Sequence, residues 1–147
     1  MKKIAMFLLL LACSLPLMGF NGAREQKRAQ LYLKSGETMQ GQGNLDAALS
    51  FFDKAVRTDP GLAAAYRSRG FLYLQLGCRD VALQDFGKVI ELAPLEPAGY
   101  VTRALAYSEA DKAKAVADFK KGCELGDAPA CQFFKQMAPA EPASPAL

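Results

Sequence analysis

Apolar residues recur along this chain at spacings of three and four, in blocks separated by glycine, asparagine or proline, which is the pattern of amphipathic helices rather than of strands. Tyr66, Gly70 and Tyr73 share one face of such a helix, and Ala82, Phe86 and Val89 share one face of the next. Gly77 ends the first helix. Pro94 stops the second, because proline cannot continue a helix and disfavours helical geometry in the residue before it. The block repeats: Tyr32, Gly36, Gly43, Ala48, Phe52 and Pro60 return 34 residues later as Tyr66, Gly70, Gly77, Ala82, Phe86 and Pro94. Gly70 removes a side chain where the two helices approach, Ala82 permits that approach, and Phe86 fills the space beyond. In the first block the period predicts a helix from Ala29 to about Gln42, and then one through Arg57 with Asn44 as its N-cap. A third block carries Tyr100, Ala104 and Tyr107, then Ala115, Phe119 and Gly122. Its inter-helix turn is one residue shorter, and Asp111 stands where it can cap the second helix.

The two ends depart from this pattern. Met1, Lys2 and Lys3 precede an apolar run over residues 4–12 and a mixed stretch to Phe20, which reads as a bacterial secretory signal peptide over residues 1–23. A permanent membrane helix is the alternative, but residues 4–20 contain Pro16 and lie at the short end of the spanning range. Cleavage has two candidate positions. Leu10, Leu11, Ala12 and Cys13 resemble a lipobox, which would make Cys13 the lipid-modified N-terminus after a signal of residues 1–12; a conventional cut near Gly19, Gly22 or Ala23 would leave a soluble exported chain. The folded domain is expected over 24–137, with repeats at about 29–62, 63–96 and 97–128 and a short capping helix over 128–137. Residues 138–147, with three prolines, are expected to be a disordered tail.

Composition narrows the chemistry. The chain has 147 residues, 51% hydrophobic, enough for one helical domain with a core. The formal charge of +3 includes Lys2 and Lys3, so the remainder is nearly neutral and no nucleic-acid partner is indicated. Histidine is absent, which removes the usual general base, the usual metal ligand and the usual partner of a serine or cysteine nucleophile. Cys13, Cys78, Cys123 and Cys131 include no Cys-x-x-Cys pair, so zinc, haem-attachment and dithiol redox motifs lack support and no cofactor is expected. An enzyme using Cys78 as nucleophile is the competing class. Without a histidine to activate it, Cys78 reads as an inert turn cysteine.

The repeating positions resemble the tetratricopeptide repeat, whose period is 34 residues. The resemblance covers about Ala29 to Met137 and implies an all-α, short right-handed solenoid of about three helix-turn-helix repeats closed by a capping helix. Two departures are visible: tyrosine (Tyr32, Tyr66, Tyr100) stands where tryptophan is usual, and Ser35, Arg69 and Arg103 occupy an often apolar position. The family binds partners on a concave surface lined by first helices. Here that implies a largely apolar groove of Leu33, Glu37 and Gln40, then Arg67, Phe71 and Leu74, then Val101, Leu105 and Ser108. A lysine and asparagine clamp for a C-terminal carboxylate is not supplied by these positions, so a chaperone-tail receptor is not implied. Lys120 to Cys131 also resembles the junction between cysteine-rich Sel1-like repeats, where cysteines eight residues apart are bridged; this implies a Cys123–Cys131 disulfide. The repeat resemblance implies a noncatalytic interaction scaffold with another protein as its partner, and the N-terminal signal reading places it in the bacterial envelope, periplasmic or lipid-anchored, or secreted. A secreted Sel1-like interaction protein is the alternative.

Overall fold

A computed structural model describes the backbone of residues 15–107 and 111–138, and the side chains from residue 22 onward within those limits. Every regular element among them is an α-helix: α1 (Leu15–Gly41), α2 (Leu45–Thr58), α3 (Ala63–Gln75), α4 (Arg79–Leu92), α5 (Pro97–Ala106), α6 (Lys112–Glu124) and α7 (Ala128–Met137). The chain divides into two compact units, Met1–Ala65 and Tyr66–Leu147.

In the first unit α1 and α2 form a hairpin whose turn is set by two residues. Gly43 takes φ 78°, a left-handed conformation that a side chain would resist. The N–H of Asn44 then reaches back to the Met39 carbonyl at 2.9 Å, closing the end of α1. The Asn44 side chain accepts the Ala47 N–H at 3.2 Å, capping α2 as the sequence predicts. Phe52 and Ala48 are fully buried. A Cβ built on Gly36 would stand 2.5 Å from the Phe52 ring, so glycine is required for the two helices to close on that ring. At its other end α1 continues upstream of Ala29 to Leu15, where the period alone gave no reason to extend it. Cys13 lies outside the described residues. No helix among the described residues is long and apolar enough to cross a membrane.

The second unit repeats the device. Gly77 takes φ 78°, and a Cβ on Gly70 would stand 2.7 Å from the Phe86 ring. Leu72, Ala82 and Phe86 are fully buried, and each large side chain so removed from water contributes about 1.5–3 kcal/mol. Pro97 opens α5 at its first turn, where its missing N–H has no partner to lose. The turn between α5 and α6 differs from the earlier two. It has no left-handed glycine: α5 ends at Tyr107 with φ −66° and ψ 145°, in extended geometry. Asp111 occupies the N-cap position of α6 but makes no side-chain cap bond. Its carboxylate instead accepts from Lys114 Nζ at 2.7 Å, so the expected cap is replaced by an ion pair one turn along the helix.

The last turn is tight. Gly126 takes φ 94°, and the Asp127 carboxylate accepts the Ala130 N–H at 2.7 Å, which caps α7. Cys123 on α6 is joined to Cys131 on α7, with their Cα atoms 4.5 Å apart. Ala130 is fully buried in a cluster with Ala104, Ala115 and Phe119, against which Val101 and Phe134 pack.

Candidate interaction site

Two partly buried ion pairs tie the helix pairs of the second unit. Arg69 on α3 donates from Nε and Nη2 to both carboxylate oxygens of Asp85 on α4, at 2.9 and 2.7 Å. Arg103 on α5 does the same to Asp118 on α6, at 2.7 and 2.9 Å. Planar two-point contacts of this kind constrain rotation as well as distance. The Asp118 hydrogen bond raises the Arg103 pKa above its ordinary value, against the burial that lowers it. Arg69 also lies over the Tyr66 and Tyr73 rings, with its guanidinium carbon 5.6 and 6.0 Å from their centroids. In the first repeat both partners are exchanged: Ser35 replaces the arginine and donates to the Leu31 carbonyl of its own helix, and Phe51 replaces the aspartate and lies 6.4 Å from the Tyr32 ring. The arginine position was visible in the sequence as a departure. Its partner was signalled by the aspartate immediately before the phenylalanine of the second and third repeats, Asp85 before Phe86 and Asp118 before Phe119.

Of the nine groove positions, three lie in the first unit. Leu33 and Gln40 are half-buried and Glu37 is exposed. In the second unit Arg67 is exposed, and Phe71 keeps 41% of its surface in solvent while its ring meets Phe86 edge-on at 5.3 Å. Leu74 packs against the Ala82, Phe86 and Ala106 cluster, and Val101 packs against the last cluster, so both are half-buried in the core. Leu105 is 55% exposed. Ser108 lies outside the described residues.

Leu105 opens onto a cleft of about 210 Å³ between α5, α6 and α7. Its walls are apolar and aromatic: Tyr107 from the turn, Phe119 from α6, Phe133 and Met137 from α7, with Lys112 at the edge. Phe133 is 40% exposed and stacks on Phe119 with ring centroids 5.0 Å apart. A second, shallower hollow of about 490 Å³ adjoins it, sharing Lys112 and Met137. Sequence reasoning assigned α7 a capping role but singled out neither Phe133 nor Met137. The adjacent phenylalanines carried the signal, since one helix face cannot bury both. Cys78 is exposed at the start of α4 and makes no cap bond; its thiol approaches the Leu76 carbonyl at 3.9 Å. Among the described residues, no three histidine, cysteine, aspartate or glutamate side chains gather as a metal site.

These paired helices, turning on glycine and closing on a buried phenylalanine, have the arrangement of tetratricopeptide-repeat domains. Residues 29–61 match the family model described as Tetratricopeptide repeat. The chain is 32% identical to mouse Serine/threonine-protein phosphatase 5 over 88 residues, which is 55% of this chain and 18% of that protein. It is 36% identical to rat DnaJ homolog subfamily C member 3 over 91 residues, 61% of this chain and 18% of the relative. The chain thus spans less than a fifth of the length of these curated relatives. Among solved structures, the first TPR of Spaghetti (RPAP3), bound to the HSP90 peptide SRMEEVD, is similar with a TM-score of 0.69 and 21% identity, over 77% of this chain and 92% of that one. The chain therefore carries a tetratricopeptide repeat and has the fold of that family.

Proposed function

We propose that this chain is a noncatalytic protein-interaction module that holds an apolar peptide or helix of another protein against Phe71, Leu105 and Phe133. The observation that carries this reading is the exposure of these three large apolar side chains of the second unit, at 41%, 55% and 40%, two of which, Leu105 and Phe133, line the α5–α7 cleft. Apolar side chains left uncovered beside a cleft are the usual mark of a docking surface. The similar RPAP3 domain was solved with an HSP90 peptide rich in glutamate. Across the nine groove positions here, one cation (Arg67) is set against one acid (Glu37), so apolar burial rather than anion capture supplies the affinity. The phosphatase relative lends no catalytic role, because the match covers only 18% of its length and this chain contains no histidine.

Location forms part of the same proposal. The basic start and apolar run of residues 1–12 favour export from a bacterial cell, and the Cys123–Cys131 bond favours an oxidising compartment, where such bonds persist. Lipidation at Cys13 would hold the module on a membrane surface. The test is a photo-crosslinking amino acid installed at Leu105, with the same residue at exposed Gln84 on α4 as control. A discrete adduct from position 105 in envelope fractions, missing from position 84, supports the reading. Equal labelling from both positions, or none from 105, refutes it.

A further inference from the structure

The α5–α7 cleft has a volume of about 210 Å³. An apolar cavity of about 150 Å³ takes up benzene, whereas pockets for larger ligands run from about 300 Å³ upward, so this volume suits one aromatic side chain. The lining suits the same guest. Phe119 and Phe133 stack with ring centroids 5.0 Å apart and Tyr107 supplies a third ring, so an inserted ring meets aromatic faces and edges, with the polarisable Met137 thioether beside them.

Lys112 sets a second requirement. It is the first residue of α6, where the helix dipole disfavours a cation, and the first turn of α6 has no acid, whereas those of α2 and α4 have Asp46 and Asp80. Stability therefore gives no reason for a lysine there. Asp111 matches Lys114 at 2.7 Å, but Lys112 forms no ion pair with another described residue. It is exposed, and it lines both the cleft and the shallower hollow over Ala113 and Val116. An unmatched cation thus stands where two apolar depressions meet. Lys112 and Val116 are one helical turn apart, about 5–6 Å, and the side chains along one face of a facing helix have the same spacing.

We propose that the cleft takes an amphipathic helix of another protein, which inserts one aromatic ring among Tyr107, Phe119 and Phe133, lays an aliphatic side chain over Val116 and directs a carboxylate to Lys112. The ring supplies affinity and the carboxylate supplies selection, because an exposed ion pair contributes little beside a buried ring. This names the partner chemistry of the interaction reading above and rests on that reading.

The probe is a capped, fluorophore-labelled helical peptide carrying Phe-Ala-Ala-Leu-Glu, whose ring, aliphatic group and acid share one face. Its anisotropy is titrated with the purified full chain. Alanine in place of the probe phenylalanine weakens binding about tenfold or more. Lys112→Glu weakens binding about fivefold without lowering the melting temperature, since an acid suits the first turn of α6. A probe with lysine in place of its glutamate reverses the preference and binds Lys112→Glu better than the unaltered chain. Lys120→Glu, the same charge change at an exposed position of α6 outside the cleft, produces no reversal. Equal binding of the alanine probe, or no reversal at position 112, overturns the proposal. A chain that sediments as a dimer and takes the probe only on dissociation assigns the cleft to a second copy and also overturns it. Crosslinking at Leu105 is read separately: a partner adduct without charge reversal keeps the interaction reading and removes this inference, while absence of the adduct removes both.

Discussion

Exchanging Arg69 and Asp85 for the residues that the first repeat uses, Arg69→Ser and Asp85→Phe, tests whether the two positions act as one unit. The Asp85 side chain is 7% exposed and Arg69 is 19% exposed. Removing one partner of a fully buried pair costs about 3–5 kcal/mol, because the other charge remains without compensation. Arg69→Ser leaves the deeper charge, so a loss of about 3 kcal/mol is expected. Asp85→Phe leaves the more exposed arginine, which regains water, so about 2 kcal/mol is expected, part of it from the larger ring. In the double variant neither charge is stranded. The aromatic ring can lie beside Tyr66 as Phe51 lies 6.4 Å from Tyr32, and the total loss should stay within about 2 kcal/mol. Urea unfolding of all four proteins yields the coupling, expected at about 3 kcal/mol. Single losses that add to within about 0.5 kcal/mol would show that the two positions are independent and would refute the reasoning.

Gly70→Ala should lower stability by about 1–3 kcal/mol, since its Cβ would stand 2.7 Å from the Phe86 ring, whereas Gly87→Ala, open to solvent on α4, should raise it by up to about 1 kcal/mol; thermal melts separate the two. Replacing both Cys123 and Cys131 by serine should cost about 2.5 kcal/mol for a loop of sequence separation 8, and Cys78→Ser should change unfolding little. Leu105→Glu should leave the melting temperature nearly unchanged while weakening partner capture in a pull-down, whereas Phe71→Glu should also lower the melting temperature, because its ring meets Phe86 at 5.3 Å. If Cys13 is lipid-modified, labelled palmitate should enter the chain and Cys13→Ala should release it from membranes; a chain that never takes up label would leave conventional cleavage.

The helix pairs were legible because each depends on local chemistry that repeats. Gly43 and Gly77 turn the chain, Gly36 and Gly70 admit a phenylalanine, and Asn44 caps, so the sequence period maps directly onto contacts within a hairpin. The third turn was less legible. Asp111 has the residue type and position of a cap, yet Lys114 one turn on competes for its carboxylate, and a single sequence does not rank those two acceptor roles. The upstream reach of α1 to Leu15 was also unread, because periodicity marks buried faces and Gly22, Ala23 and Arg24 are exposed. For the site, the first-helix positions were identified by register, but register cannot tell core from surface. Leu74 and Val101 occupy it and pack inward, while Phe71 and Leu105 occupy it and remain open.

The cleft itself arises from one exchange between the second and third repeats. In the second repeat Phe71 lies edge-on to Phe86, so the aromatic partner of the buried ring comes from the same helix pair. The third repeat has Leu105 at the position of Phe71, and leucine does not reach its ring in that way. Phe119 instead stacks on Phe133, a residue of α7. The wall that the third repeat lacks is thus supplied by the helix that follows it, and the space between the shorter Leu105 and the borrowed Phe133 is the cleft. A helix that only covered an exposed end could tolerate some freedom of position. Here a shift of α7 would move Phe133 and Met137 together and reshape the cleft. The features that hold α7 are accordingly strict: Gly126 at φ 94°, the Asp127 cap at 2.7 Å, and a disulfide eight residues in span. On the proposed function, the bond between Cys123 and Cys131 bears on binding as well as on stability, because it fixes the helix that carries Phe133 and Met137.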